Sequence, residues 1–287
     1  MNKHLVFLFG LATMMMGCTS CTSLFYQPNR VLYAHPAQLM IKDFQDLHWK
    51  SGEANLNAWY FNPNALKAKK SKIAPKGLIL FFHGNAQNIS SHFLNLTWIL
   101  PQGYDFVIFD YRGYGLSSGQ PNPDGVYQDS MTAMEEAWKI YKDNGYQKFI
   151  VFGQSLGGAI ALRAMQDFIE TPQISLLALD STFLSYKKIA FDRLTSFWAT
   201  FLLSPLAYLI VSDAYSPKDY VSQVPVRTLV IHGLKDQIIP FKFGEEIYNK
   251  LPDRKQFWQI PEGTHIDSFA AHGDKYQKQF VELLNSF

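Results

Sequence analysis

A serine set between two glycines, Gly153-Gln154-Ser155-Leu156-Gly157, sits between a short apolar run and a helix-forming run, and this restricts the possible folds more than any other feature. The run Phe149–Phe152 reads as a buried strand, and Leu156–Ile169 as an amphipathic helix. A strand that turns into a helix so abruptly has no room for side chains two residues either side of the serine. Glycine at 153 and at 157 meets that demand. The hydroxyl is then held above the C-terminal edge of a sheet, over a helix N-terminus that favours negative charge. G-x-S-x-G in this strand–turn–helix context marks Ser155 as a nucleophile.

The remaining pattern supplies a sheet around that turn. Leu78–Phe82, Phe106–Phe109, Leu176–Leu179 and Thr228–Ile231 are further compact apolar runs, each bounded by turn or polar residues, as expected of strands buried on both faces. Phe257–Ile260 reads as a last strand. Leu47–Trp49 and Leu56–Phe61 have no helix between them and read as an antiparallel edge. Helical patterns at Ser90–Leu100, Val126–Asn144, Phe241–Leu251 and Asp267–Phe287 alternate with the strands, the rhythm of parallel βαβ units. The expected architecture is therefore α/β, a mostly parallel sheet of about eight strands with helices on both faces. Between residues 181 and 223 the rhythm breaks at Phe197–Val211, rich in aromatics and leucine and interrupted by Pro205. This stretch is shorter than the roughly 20 residues of a membrane span. It reads as a small helical cap inserted into a domain running from 45 to 287. The lysine-rich stretch Ala65–Lys76 reads as a solvated loop.

Hydrophobic residues make up 47% of the chain and charged residues 17%, enough apolar material for a large core. A formal net charge of +2 gives no electrostatic case for nucleic acid. The two cysteines, Cys18 and Cys21, both lie near the N-terminus, so the body has neither a disulfide framework nor a thiolate metal site. Lys3 followed by the apolar stretch Leu5–Met16 has the pattern of a secretory signal. Residues 1–17 accordingly read as a signal peptide, and 18–44 as a tether and N-terminal extension. Gly17-Cys18 resembles the lipobox of bacterial lipoproteins, where cleavage precedes a cysteine that then carries lipid. Met15 departs from the usual leucine of that pattern, and Cys21 is the rival position. The resemblance implies an exported protein, anchored in a bacterial cell envelope through acyl lipid on Cys18.

Further motifs follow the other strands: Phe82-His83-Gly84-Asn85-Ala86, Phe109-Asp110-Tyr111-Arg112-Gly113-Tyr114-Gly115, His232-Gly233 with Asp236, and Gly263-Thr264-His265. With Gly153–Gly158 they make residues 45 to 287 resemble the α/β-hydrolase superfamily, and its ABHD-type serine hydrolases in particular. The resemblance implies a triad in the chain order Ser155, Asp236, His265, acting as nucleophile, orienting acid and general base. It also implies that the backbone N–H groups of Asn85 and Leu156 form an oxyanion hole. Asp180, after the preceding strand, is the rival acid, and Asp267 is too close in sequence to His265 to orient it. His232, His272, His92, His48 and His35 all lie outside the loop after the last strand, where His265 stands. His83 reads as a hydrogen-bonded loop residue.

Gly113-Tyr114-Gly115-Leu116-Ser117-Ser118-Gly119 misses a dinucleotide fingerprint by one residue, and Pro121 and Pro123 follow it instead of a helix. It reads as a glycine turn, with Arg112 a structural anchor, and no cofactor is implied. No H-E-x-x-H or spaced Cys/His set points to a metal. The expected activity is acyl transfer through an acyl-enzyme. The apolar cap favours a small substrate with an apolar acyl chain, an ester or thioester, as in carboxylesterases and lipases. A serine peptidase of the same fold, or a lipid-binding lipoprotein with an idle triad, are the alternatives.

Overall fold

The apolar runs become strands because each is short, rich in Phe, Leu, Ile and Val, and closed by turn residues. A computed structural model describes residues 21–71, 74–272 and 274–287, and among these eight strands form one sheet. They are β1 (Phe44–Ser51), β2 (Ala54–Phe61), β3 (Gly77–Phe82), β4 (Tyr104–Phe109), β5 (Lys148–Gln154), β6 (Leu176–Asp180), β7 (Thr228–Gly233) and β8 (Lys255–Ile260). Their spatial order is β1-β2-β4-β3-β5-β6-β7-β8. β2 pairs antiparallel with β1 and with β4, and every pair from β4 to β8 is parallel. The strand order reverses between β3 and β5. That switch point, at the C-terminal ends of the strands, is where open α/β sheets bind ligands.

Side-chain alternation splits the core into two layers. Leu78, Leu80 and Phe82 of β3 share one face with Val151 and Leu179. Ile79 and Phe81 share the other with Phe152, Ala178 and Ile231. The first face is covered by α3 (Pro123–Asp143), α4 (Leu156–Asp167) and α7 (Lys242–Lys250), which supply Met134, Leu162 and Ile247 among others. The second is covered by α2 (Ile89–His92) with the turns after it, and by α8 (Lys275–Asn285) with Phe280 and Leu284. The mostly parallel sheet with helices on both faces is thus as expected. Between β6 and β7 come α5 (Tyr186–Thr195), a short 3-10 turn at Phe201–Leu206 and α6 (Ala207–Ile210), the small helical cap.

Several local expectations give way. The lysine-rich stretch begins with a helix, α1 (Pro63–Ser71), not a loop. Pro63 presets the first helical φ, and lysine, alanine and leucine are good helix formers. The buried Asp105 carboxylate then accepts the N–H groups of Asn64 and Ala65 at 3.1 and 2.8 Å, a contact that local patterning does not reveal. The helix expected over Ser90–Leu100 breaks into α2 and two 3-10 turns, the second containing Pro101. The last helix starts at Lys275 instead of Asp267, because the residues before it brace a loop. The stretch read as a tether packs on the body: Tyr26 is buried, and the Thr22 hydroxyl accepts the Ser212 N–H at 2.8 Å. Cys18 and the signal-like segment lie outside the described residues.

Candidate active site

Ser155 follows β5 directly and begins α4, with its backbone at φ +53° and ψ −124°. That left-handed conformation costs a residue with a side chain about 1–3 kcal/mol. The flanking glycines serve space, since neither has a positive φ. A Cβ at 153 would lie 2.6 Å from the Cα of Gly158, and one at 157 would run into the carbonyl oxygens of Phe82 and His83. The Ser155 N–H still donates to the Asp180 carbonyl at 2.9 Å, so the strained residue stays stitched to β6.

Asp236 sits in the turn after β7, and His265 in the loop after β8. These two loops are tied together by N–H groups of Leu234 and Lys235, which donate to the carbonyls of Ile260 and Gly263, each at 2.9 Å. His265 Nε2 lies 3.0 Å from Ser155 Oγ, and its Nδ1 lies 2.8 Å from Asp236 Oδ2. The other carboxylate oxygen, Oδ1, accepts the N–H groups of Ile238 and Ile239 at 2.8 and 2.9 Å. Burial alone would raise the pKa of Asp236. Hydrogen bonding from His232 and His265, with the Ile239 N–H, outweighs burial and holds the carboxyl well below the usual carboxylate range. An ionised Asp236 keeps the imidazole proton on Nδ1, and Nε2 is left to accept the hydroxyl of Ser155.

Asn85 and Leu156 line the same cavity as Ser155 and His265. The side chain of Asn85 is occupied: its Oδ1 accepts the Gln27 N–H at 2.8 Å and the Tyr114 hydroxyl at 3.0 Å. His83 and His92 stack beneath this loop at 5.2 Å between ring centres. The Tyr111 hydroxyl donates to the His83 carbonyl at 3.1 Å, and His92 Nε2 donates to the Ala86 carbonyl at 2.9 Å. Burial pushes the His92 pKa down to about 3, so that imidazole is a neutral strut. Arg112 is clamped by Asp129 through Nε and Nη2 at 2.9 and 2.7 Å, and Gly113, Gly115 and Gly119 all take positive φ, as a glycine turn requires.

Asp180 takes a different place from Asp236. It is fully buried, its Oδ2 accepts the Gln154 amide at 3.1 Å, and its Oδ1 accepts the hydroxyls of Ser181 and Ser268, also at 3.1 Å. Ser181 Oγ in turn accepts the N–H of Ile266 at 3.3 Å. Asp180 therefore ties the turn bearing Ser155 to the loop bearing His265. Asp267 accepts the Thr264 N–H and hydroxyl at 3.0 and 2.6 Å and braces the same loop. Sequence reasoning missed this bracing, and it missed the walls of the cavity. The space, about 500 Å³, is enclosed by Phe25, Leu156, Phe183, Ile189, Ile238 and Ile239, with Gln27, Gln87 and Arg193 as polar lining. Phe25 comes from the N-terminal segment and Arg193 from α5, partners too distant in sequence to leave a local signal. Among the described residues no cluster of His, Cys, Asp and Glu could hold a metal.

Sheet topology, strand-to-helix turn and chain order together define an α/β hydrolase. The family model described as serine aminopeptidase, S33, matches residues 73–225, and the chain belongs to this family of hydrolases. It is 33% identical over 233 residues to the protein YfhR of Escherichia coli (strain K12), covering 80% of this chain and 76% of that one. It is 27% identical over 220 residues to the lysophosphatidylserine lipase ABHD12 of Bos taurus, covering 73% of this chain and 52% of that one. Among solved structures it is similar in fold to a Pyrococcus furiosus esterase, with a TM-score of 0.69 and 16% identity over 91% of this chain and 97% of that one.

A depressed carboxyl pKa means that folding favours the charged form of Asp236. Its stabilisation is complete above the unfolded value of about 4 and is lost as pH falls from there toward the folded value. Urea denaturation of the wild type and Asp236→Asn should show a stability gap at pH 7 that narrows below about pH 4. A gap independent of pH would separate the stability of this turn from the charge of Asp236.

Proposed function

We propose that this protein is a serine hydrolase that cleaves esters or thioesters of apolar acids through an acyl-enzyme. The observation that carries the reading is the unbroken run of hydrogen bonds Ser155–His265–Asp236 opening on an apolar cavity. Ser155 Oγ attacks the substrate carbonyl as His265 Nε2 takes its proton. The carbonyl oxygen becomes an oxyanion, held by the N–H groups of Asn85 and Leu156, each donor worth about 3 kcal/mol in the transition state. Collapse expels the alcohol or thiol, which receives the proton from His265. A water then gives its proton to His265 and attacks the acyl-enzyme, and collapse breaks the acyl–Oγ bond, releasing the acid as Ser155 Oγ takes the proton back from His265. Asp236 holds the tautomer and stabilises the imidazolium throughout. The ester preference is supported by the apolar walls and by the similarity in sequence to a lipase.

Ser155→Ala should lower turnover of medium-chain nitrophenyl esters by roughly 10³-fold or more and abolish labelling by a fluorophosphonate, with the fold unchanged by circular dichroism. Aminoacyl amides run in parallel decide between esterase and peptidase. Labelling that survives the substitution would assign the nucleophile elsewhere, and binding of lipid without turnover of any ester would make the chain an idle binding protein.

We further propose that the protein is exported and held at a bacterial cell envelope by lipid on Cys18, on the strength of Gly17-Cys18 after an apolar leader. Metabolic labelling with palmitate should mark the wild type and not Cys18→Ala. Label that persists there and disappears in Cys21→Ala would move the modification to Cys21, and no label in the wild type would remove it.

A further inference from the structure

The insertion between β6 and β7 presents an apolar surface that the rest of the described chain leaves in solvent. Trp198, Leu202 and Leu209 are 85%, 87% and 79% exposed, and Phe197, Phe201 and Leu203 are each more than half exposed. No charged residue occurs from Leu194 to Ser212. Soluble proteins rarely leave such a contiguous apolar patch uncovered unless it meets another surface.

The patch stands on one side of α5, and the cavity on the other. Thr200 Oγ1 donates to the Leu194 carbonyl at 2.8 Å, and Lys187 Nζ to the Tyr208 carbonyl at 3.0 Å. The Phe191 and Tyr208 rings lie 5.4 Å apart. These contacts seat the patch on α5, while Ile189 and Arg193 of the same helix line the cavity. The N-terminal segment also packs beside the patch. Thr22 is bonded to both the N–H and the carbonyl of Ser212, two residues beyond α6, and Phe25, three residues on, is a wall of the cavity. The residues before it include the apolar stretch Leu5–Met16. Patch, N-terminal segment and cavity wall are therefore linked within a few residues of one another.

From this arrangement we propose that Phe197–Ile210 seats on a lipid bilayer, and that acyl substrate enters the cavity from that side. The occupant is lipid because the stretch exposes tryptophan, phenylalanine and leucine, and because the apolar stretch Leu5–Met16 leads into the segment bonded beside it at Ser212. No helix among the described residues is long and apolar enough to cross a membrane, so the contact is one of docking. The inference deepens the acyl-ester reading in its second half and stands apart from it in its first.

The test uses the full chain reconstituted with phosphatidylcholine vesicles, with and without brominated acyl chains. Trp49 and Trp59 are buried, and Trp98, Trp138 and Trp258 are only partly exposed, so Trp198 is the indole best placed to meet lipid. Bromine should quench the wild type, and Trp198→Phe should lose most of that quenching. Leu202→Asp with Leu209→Asp should also lose it. The same pair should slow hydrolysis of a long-chain ester in vesicles by about tenfold or more, leaving a soluble short-chain ester within about twofold. Quenching without turnover of any ester would uphold docking and remove the proposed activity. Equal quenching in wild type and Trp198→Phe would overturn the docking. So would a blue-shifted Trp198 that lipid does not quench, whether a second copy or residues 5–16 cover it; dissociation of a dimer by the Asp pair would identify the second copy.

Discussion

The nucleophile and the loop that carries Asn85 depend on one close approach between backbones. α4 passes over the end of β3 so near that Gly157 stands against the carbonyl oxygens of Phe82 and His83. That crossing aims Ser155 out of the sheet and sets the loop after β3, with Asn85, beside it. The strain at Ser155, about 1–3 kcal/mol, is held by a rigid surround. β3 is wholly buried and β5 is buried from Phe149 onward, and a single buried Phe or Leu contributes about 1.5–3 kcal/mol of transfer free energy. A side chain at 157 would force the helix and strand apart and move nucleophile and loop together.

The two carboxylates near His265 show how surroundings separate chemically identical groups. Asp236 is approached by two imidazoles and two backbone N–H groups, which favour its charged form. Asp180 meets burial first, which raises its pKa, and its bonds come from an amide and two hydroxyls that a neutral carboxyl also satisfies. The first is hydrogen-bonded to the imidazole of His265. The second is suited to fixing distances, and it links Gln154, next to the nucleophile, to Ser268 and, through Ser181, to Ile266, next to the base.

This division explains what the sequence could and could not disclose. Ser155, Asp236 and His265 were legible because each follows a strand, and a parallel sheet brings all strand ends to one edge whatever the spacing between them. The strand cores were legible from their unbroken apolar runs. The start of α1 depended on Asp105, about forty residues away, and the lysines beside it concealed a helix that needed a tertiary partner. The bracing by Asp180 was illegible for a similar reason: serine and glutamine near a strand end are ordinary until three loops are folded against one another.

The walls of the cavity follow a different logic from its floor. The sheet presents the same edge in any chain of this fold, so the residues on that edge speak to reaction type and not to substrate. Selectivity falls to what closes over them. Here those pieces are Phe25 from the N-terminal segment and Phe183, Ile189 and Arg193 from the insertion, joined at Thr22 and Ser212. A shift of either piece alters the shape of the cavity without touching Ser155 or His265. Access is thus coupled to surfaces that the hydrolytic chemistry does not need, and the exposed apolar face of the insertion is the one with most to gain from a partner.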